Sequence, residues 1–132
     1  MNILIVGNMG YVGPVVVQHL RRARPHDSLT GLDIGYFAHC LLGASVWPEC
    51  YLDRQIVGDI RHIRPEWLED VDAIVNLAAI SNDPMGDQFE AVTLATNHQA
   101  AVELAKMAKQ FGVRSYVYAS SCSVYGCAEE GA

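Results

Sequence analysis

Residues 2–13, NILIVGNMGYVG, join a short apolar run to three regularly spaced glycines, and this stretch decides the fold. The run at 2–6 has the length and composition of a buried parallel strand. Gly7, Gly10 and Gly13 then follow at intervals of three residues. Because glycine loses more conformational freedom on folding than any other residue, its repetition indicates a tight turn or a close approach to the backbone.

The rest of the chain alternates between helical and extended patterns. Pro14 fits only the first turn of a helix, where its missing N–H would have no partner, so a helix is predicted to begin near Tyr11. Further strands are predicted at 28–33, 54–59, 72–78 and 115–121, and a long helix at 87–111, with Gly112 as its C-cap and an inner face of Phe89, Val92, Thr96, Ala100, Leu104 and Ala108. We therefore predict an α/β fold in one domain (1–132), an open doubly wound parallel sheet of five strands with helices on both faces.

Composition and charge exclude several classes of protein. The length of 132 residues suits one domain, and 51% apolar with 18% charged residues is typical of a folded globular protein. The formal net charge of −6 argues against a nucleic-acid partner, because phosphate binding needs a basic face. No apolar run approaches the roughly 20 residues of a membrane helix, and no basic segment precedes ILIV as in a signal peptide. We expect a cytoplasmic protein that binds neither membrane nor nucleic acid.

The cysteines do not form a recognisable metal or disulfide framework. Cys40, Cys50, Cys122 and Cys127 include no pair in C-x-x-C spacing, and no histidine completes a zinc-finger pattern. We expect free thiols and no metal.

The glycine turn has the position of a phosphate-binding turn. Between a strand and a helix, its backbone N–H groups can meet a pyrophosphate, and the helix N-terminus adds about half a positive charge. Gly7 would permit the turn, Gly10 would admit the pyrophosphate, and Gly13 would let the helix pack close to the strand. The spacing is G-x-x-G-x-x-G rather than the commoner G-x-G-x-x-G, so a purely structural tight turn is the alternative.

Asp33 lies 20 residues after Gly13, at the end of the second predicted strand. A carboxylate there accepts hydrogen bonds from the adenosine ribose and repels a 2′-phosphate. No arginine directly follows it, so NAD is favoured over NADP. The alternative is an aspartate that only caps a turn.

Six features in order carry a family resemblance: the glycine turn, Asp33, GDI at 58–60, NLAA at 76–79, Asn97 and SSCSVYG at 120–126. Over essentially its whole length the chain resembles the extended short-chain dehydrogenase/reductase superfamily. The resemblance is strongest to the NAD-dependent nucleotide-sugar epimerases and dehydratases, which include the UDP-galactose 4-epimerase-like enzymes. It implies a Rossmann-type fold, NAD as cofactor and a nucleotide-sugar substrate.

The resemblance also implies a role for each matched position around the cofactor. Tyr11 and Val12 would contact the pyrophosphate, Asp33 the ribose, Asp59 and Ile60 the adenine, Leu77, Ala78 and Ala79 the cofactor beside the fourth strand, and Asn97 the nicotinamide side. Ordinary strand packing is an alternative or additional role for residues 77–79.

Ser121 is the catalytic candidate, because the similar enzymes use a Ser or Thr at this position to bond the oxygen of the reacting sugar carbon. The similar 4,6-dehydratases carry an Asp-Glu pair after it, where this chain has Cys122 and Ser123. The resemblance therefore favours epimerisation or simple hydride transfer over dehydration.

One expected motif is missing. The similar enzymes have a proton-transferring tyrosine four residues before a lysine, and none of the six tyrosines here has that partner. The only lysines, Lys106 and Lys109, precede the place of the motif. We expect the chain to be the inactive, NAD-binding N-terminal part of a larger epimerase. The alternatives are a related reductase or dehydratase, or a non-catalytic NAD-sensing module.

Two features predict a homodimer. The strand at 115–121 would be an edge strand of the sheet with few charged residues, and such an edge can pair with a strand of another chain. In the similar enzymes the long helix forms a dimer seam, and its outward positions here include Ala91, Leu94, Ala95 and Met107.

Overall fold

A computed structural model describes residues 1–37, 48–81 and 88–121. Five parallel strands form one sheet in the order β3-β2-β1-β4-β5. Their bounds are β1 Asn2–Val6, β2 Ser28–Asp33, β3 Arg54–Val57, β4 Ala73–Asn76 and β5 Ser115–Tyr118. The strand order reverses at β1, which pairs with β2 on one side and β4 on the other. The predicted doubly wound, Rossmann-type sheet is confirmed.

Helices cover both faces of this sheet. Helix α1 spans Gly13–Ala23, and a long helix comprises α2 (Glu90–Leu94), a π-helical segment (Ala95–Ala100) and α3 (Ala101–Gln110). Three 3₁₀ turns lie at Pro48–Tyr51, Ile60–His62 and Pro65–Trp67. Helix α1 begins two residues later than predicted, and residue 87, where the long helix was expected to start, is outside the described residues.

Strands β3, β4 and β5 end two or three residues earlier than the apolar runs predicted. At two of these ends a side chain takes over the backbone hydrogen bonding. Oδ1 of Asn76 accepts the N–H of Ala78 at 3.1 Å, and Oδ1 of Asp59 accepts the N–H of Arg61 at 2.9 Å. Both contacts turn the chain out of the ladder.

The core lies on both faces because successive β1 side chains point to opposite sides. Leu4 and Val6 pack with the long helix, where Leu104 is fully buried, while Ile3 and Ile5 pack with Val17 of α1. Ala100, Leu104 and Ala108 form the inner face of the long helix, as predicted.

Three predicted positions of the long helix were wrong. Phe89 and Val92 are 46% and 39% exposed, and Val92 lines a pocket rather than the core. Met107, expected to point outward, packs against the core cluster around Leu104.

Candidate functional site

One pocket opens at the carboxyl ends of β1, β2, β3 and β4, beside the start of the long helix. Open parallel sheets bind ligands at this edge. The pocket brings together eight residues singled out in the sequence: Gly7, Gly10, Asp33, Asp59, Ile60, Leu77, Ala78 and Ala79. It also includes residues that sequence reasoning missed, among them Tyr36, Phe37, Arg61 and Ile80. Their only signal was proximity in sequence to Asp33, GDI and NLAA.

The three glycines of the turn have three different physical reasons. Gly7 has φ +84°, and a Cβ there would lie 2.7 Å from the backbone N of Ala78. At Gly13 a Cβ would collide with the backbone of Asn8, so close packing within the turn replaces the expected helix–strand approach. At Gly10 the nearest protein atom would be the carbonyl oxygen of Gly7 at 3.4 Å, which is ordinary contact. The protein's own atoms therefore leave space beside Gly10, which lines the pocket.

The turn is held firmly on β2. The N–H of Gly7 donates to the carbonyl of Leu32 at 2.8 Å, and the N–H of Met9 donates to Oδ2 of Asp33 at 2.8 Å. Such anchoring fixes the backbone N–H groups before any ligand arrives.

The N-terminus of α1 suits an anion. Its N-cap is Val12, which makes no side-chain cap hydrogen bond, and its first turn contains no acidic residue. Tyr11, just before it, is 71% exposed. The positive end of the helix dipole therefore faces outward at the turn without a competing carboxylate of its own.

Asp33 lies beside the turn with its carboxylate oriented by two backbone groups. Oδ2 accepts from Met9, and Oδ1 accepts from the N–H of Gly35 at 2.7 Å. An ionised carboxylate has about four acceptor positions, so about two stay available for a ligand's hydroxyl groups.

Asp59 and Arg61 form a close ion pair in the wall of the pocket. Nη2 of Arg61 donates to Oδ2 of Asp59 at 2.6 Å, and Nε lies 3.0 Å from Oδ1. These hydrogen bonds lower the pKa of Asp59 and raise that of Arg61. The sequence pointed to Asp59 as an adenine contact and missed the guanidinium that already occupies its carboxylate.

Asn97 fixes the opposite wall. It lies in the π-helical segment, and its side-chain amide bonds both backbone groups of Ile80 at 2.8 Å, accepting from the N–H and donating to the carbonyl. The hydroxyl of Tyr118 in turn donates to the carbonyl of Asn97 at 3.0 Å. Asn97 therefore holds the loop after β4, rather than lining the pocket itself.

Ser121 is exposed and lies three residues beyond β5, at the same edge of the sheet, although it does not line the pocket. Residues 122–126 of the motif, which include Cys122 and Ser123, lie outside the described residues. Cys50 is a free, exposed thiol. Among residues 1–37, 48–81 and 88–121, no group of histidines, cysteines and carboxylates could hold a metal, and no helix is long and apolar enough to cross a membrane.

A family model described as the NAD dependent epimerase/dehydratase family matches residues 3–131. The chain belongs to this family. This family is NAD-dependent. Among curated proteins, none matches the sequence.

Solved structures of this family share the fold. MoeE5, solved with UDP-glucose and NAD, has 26% identity and a TM-score of 0.79, over 98% of this chain and 39% of that chain. TunA, an NAD-dependent NDP-hexosamine 5,6-dehydratase, has 23% identity and a TM-score of 0.80, over 98% of this chain and 40% of that chain. UDP-N-acetylglucosamine 4-epimerase from Methanobrevibacter ruminantium M1 has 20% identity and a TM-score of 0.77, over 98% and 41%. The chain thus spans about two-fifths of the length of these structures.

The pocket fits a dinucleotide on three observations of its own. Gly10 leaves space where a pyrophosphate would approach, α1 offers an N-terminus without a side-chain cap, and Asp33 retains acceptor capacity.

Proposed function

We propose that this chain is the NAD-binding part of a cytoplasmic, homodimeric nucleotide-sugar epimerase. When bound, NAD supplies a hydride acceptor that takes hydrogen from a sugar carbon and returns it. The observation that carries the proposal is Gly10, the glycine of the turn that the protein's own packing does not require.

The chain's own residues would bind and orient this cofactor. The backbone of Tyr11 and Val12 at the start of α1 would hold the pyrophosphate beside Gly10, because oriented N–H groups and the helix dipole both favour negative charge. The N–H of Gly10 itself donates to the carbonyl of Gly7 at 3.3 Å, which keeps the turn closed. The Asp33 carboxylate would accept hydrogen bonds from the hydroxyl groups of the adenosine ribose. Two backbone N–H groups already hold this carboxylate in place, and its remaining acceptor positions are available to the ribose.

The remaining walls would hold the two ends of the cofactor. Ile60 is buried beside the Asp59–Arg61 ion pair and would meet the adenine. Residues 77–79 line the middle of the pocket, and Asn97 would set the nicotinamide side by fixing Ile80.

Ser121 is proposed to bond the sugar oxygen at the reacting carbon. Its place past the carboxyl end of β5 supports this role, because ligands approach the sheet from that edge. Proton transfer to and from the sugar hydroxyl needs a group that residues 1–132 do not supply in the expected tyrosine–lysine spacing. General acid–base transfer is worth about 10² to 10⁴ in rate, so we propose that these residues alone do not turn over substrate.

Epimerisation is preferred over dehydration because Cys122 and Ser123 stand where the similar dehydratases have carboxylic acids. A related reductase or dehydratase, and an NAD-sensing module without catalysis, are the other candidates.

The products formed by the full-length protein from UDP-glucose separate these candidates. An epimerase yields the epimeric sugar without net NADH, whereas a reductase changes NADH in step with product and a dehydratase gives a product lighter by one water. No conversion, together with tight NAD binding, would favour the sensing module. A preparation containing only residues 1–132 should bind NAD and convert nothing, so steady conversion by it would contradict the proposed division of labour.

A further inference from the structure

A hydrogen-bonded amide pair lies beneath the glycine turn, outside the pocket, with Asn8 fully buried and Gln55 partly buried. The side chain of Asn8 is 0% exposed, and its Nδ2 donates to Oε1 of Gln55 on β3 at 2.7 Å. Nε2 of Gln55 returns a hydrogen bond to Oδ1 of Asn8 at 3.3 Å. Buried amides are costly unless they are hydrogen-bonded, and here Gln55 satisfies the buried amide of Asn8. Nε2 of Gln55 also donates to the carbonyl of Ile56 at 3.0 Å.

The sheet makes room for this pair at Gly31. This residue lies inside β2, between Ile5 of β1 and Gln55 of β3. A Cβ at Gly31 would lie 2.6 Å from Cγ of Asn8 and 2.6 Å from Oε1 of Gln55. Glycine weakens a strand interior, so its presence here indicates that another group must approach closely. That group is the amide pair.

Asn8 connects the turn to the sheet between the two backbone anchors of the turn. Gly7 precedes it and bonds Leu32, and Met9 follows it and bonds Asp33. Its backbone also lies against Gly13, at the start of α1. The Asn8 side chain therefore adds a hydrogen bond to β3 to the hydrogen bonds that join the turn to β2.

We propose that Asn8 is a positioning residue, and that its pairing with Gln55 holds the glycine turn in the geometry that receives the cofactor's pyrophosphate. This inference rests on the NAD site proposed above. It assigns an effect on cofactor affinity to Gln55, a side chain that does not line the pocket and is 47 residues away in sequence. The effect acts through the turn, so it is larger for ligands with a pyrophosphate than for adenosine, whose ribose depends on the turn only through the Met9–Asp33 hydrogen bond.

The test is a double-mutant cycle of Asn8→Ala and Gln55→Ala in the full-length protein, titrated with NAD and with adenosine. Each single variant should bind NAD about tenfold more weakly, the effect expected from losing one well-formed hydrogen-bonded pair, and should lose much less affinity for adenosine. The double variant should be no weaker than Asn8→Ala, because Gln55 acts only through Asn8.

A second measurement needs no ligand and serves if Asn8→Ala does not fold. In Gln55→Ala, amide hydrogen exchange at Met9 and Gly10 should speed up about tenfold, while exchange at Ile5 in the ladder stays unchanged. Unchanged exchange at the turn would overturn the inference. So would equal losses of NAD and adenosine affinity, or single effects that add in the double variant. If the wild type binds no NAD, the proposed function fails, and the exchange measurement still decides whether the pair anchors the turn.

Discussion

Replacing Gly10 by alanine should lower the affinity for NAD without lowering the stability of the fold. Its Cβ would meet only the Gly7 carbonyl oxygen within 4 Å, at 3.4 Å, so the folded protein can accept it. Gly10 lines the pocket, so the same methyl group takes space from a bound pyrophosphate. The variant should keep its free energy of unfolding within about 0.5 kcal/mol and lose affinity for NAD.

The size of the loss follows from the contact at stake. A hydrogen bond to a charged group contributes about 1.5–3 kcal/mol. Pushing the pyrophosphate away from one N–H should therefore lower the affinity for NAD about 10- to 150-fold. Gly7→Ala should instead lower the free energy of unfolding. Its φ of +84° costs about 1–2 kcal/mol, and the contact with Ala78 backbone adds to that.

The matched control is Gly112→Ala, where φ is +74° and a Cβ would meet nothing within 4 Å. It should lose only the conformational term of about 1–2 kcal/mol and keep its NAD affinity. Denaturant unfolding measures the stability of the three variants, and calorimetric titration measures NAD binding. Gly10→Ala that folds normally and binds NAD as tightly as the wild type would refute the pyrophosphate assignment.

Three further results are expected. Wild-type protein should bind NAD more tightly than NADP by calorimetry, and Asp33→Ala should lose this preference; equal wild-type affinities would contradict the role of Asp33. Because Arg61 lowers the pKa of Asp59, their pairing stabilises the fold fully at pH values above the ordinary pKa of 3.8, and this stabilisation is lost as the pH falls through the lower pKa of the folded state. Asp59→Asn should therefore make the free energy of unfolding depend less steeply on pH in this acid range, and an unchanged dependence would count against the pair. Light scattering should show a dimer, through the exposed face of the long helix that includes Leu94 in the full-length protein and through the β5 edge in residues 1–132 alone; a 14.4 kDa species of residues 1–132 that persists on concentrating would exclude the dimer.

The fold was predictable because its strands are apolar runs and its helices alternate with them. β1 and β2 have their predicted bounds, and the burial of Leu104 follows from helical spacing. The ends of β3 and β4 were not predictable, since the contacts of Asp59 and Asn76 with nearby backbone N–H groups end them. The π-helical segment was missed because a change in hydrogen-bond register leaves no mark on the apolar pattern.

The order of the sequence motifs was enough to predict which residues line the pocket, but it did not predict the contacts that position them. Asn97 was predicted to be a cofactor contact, whereas in the folded protein its side-chain amide is hydrogen-bonded to the backbone of Ile80. In the sequence Asn8 looks like an ordinary turn residue. Its hydrogen bond to Gln55 could not be predicted, because the two residues become neighbours only when β3 joins the sheet. A glycine inside a predicted strand was the one available signal, and Gly31 is that glycine.

Residue-resolved amide shifts in the chain of residues 1–132 during titration with NAD test the central claim most directly. We predict saturable shifts at Gly10, Tyr11 and Val12 and at residues 58–60, with none at Asn2 or Glu69 at the opposite edge of the sheet. Saturation by NAD without shifts at the glycine turn, or with shifts centred on that opposite edge, would contradict it.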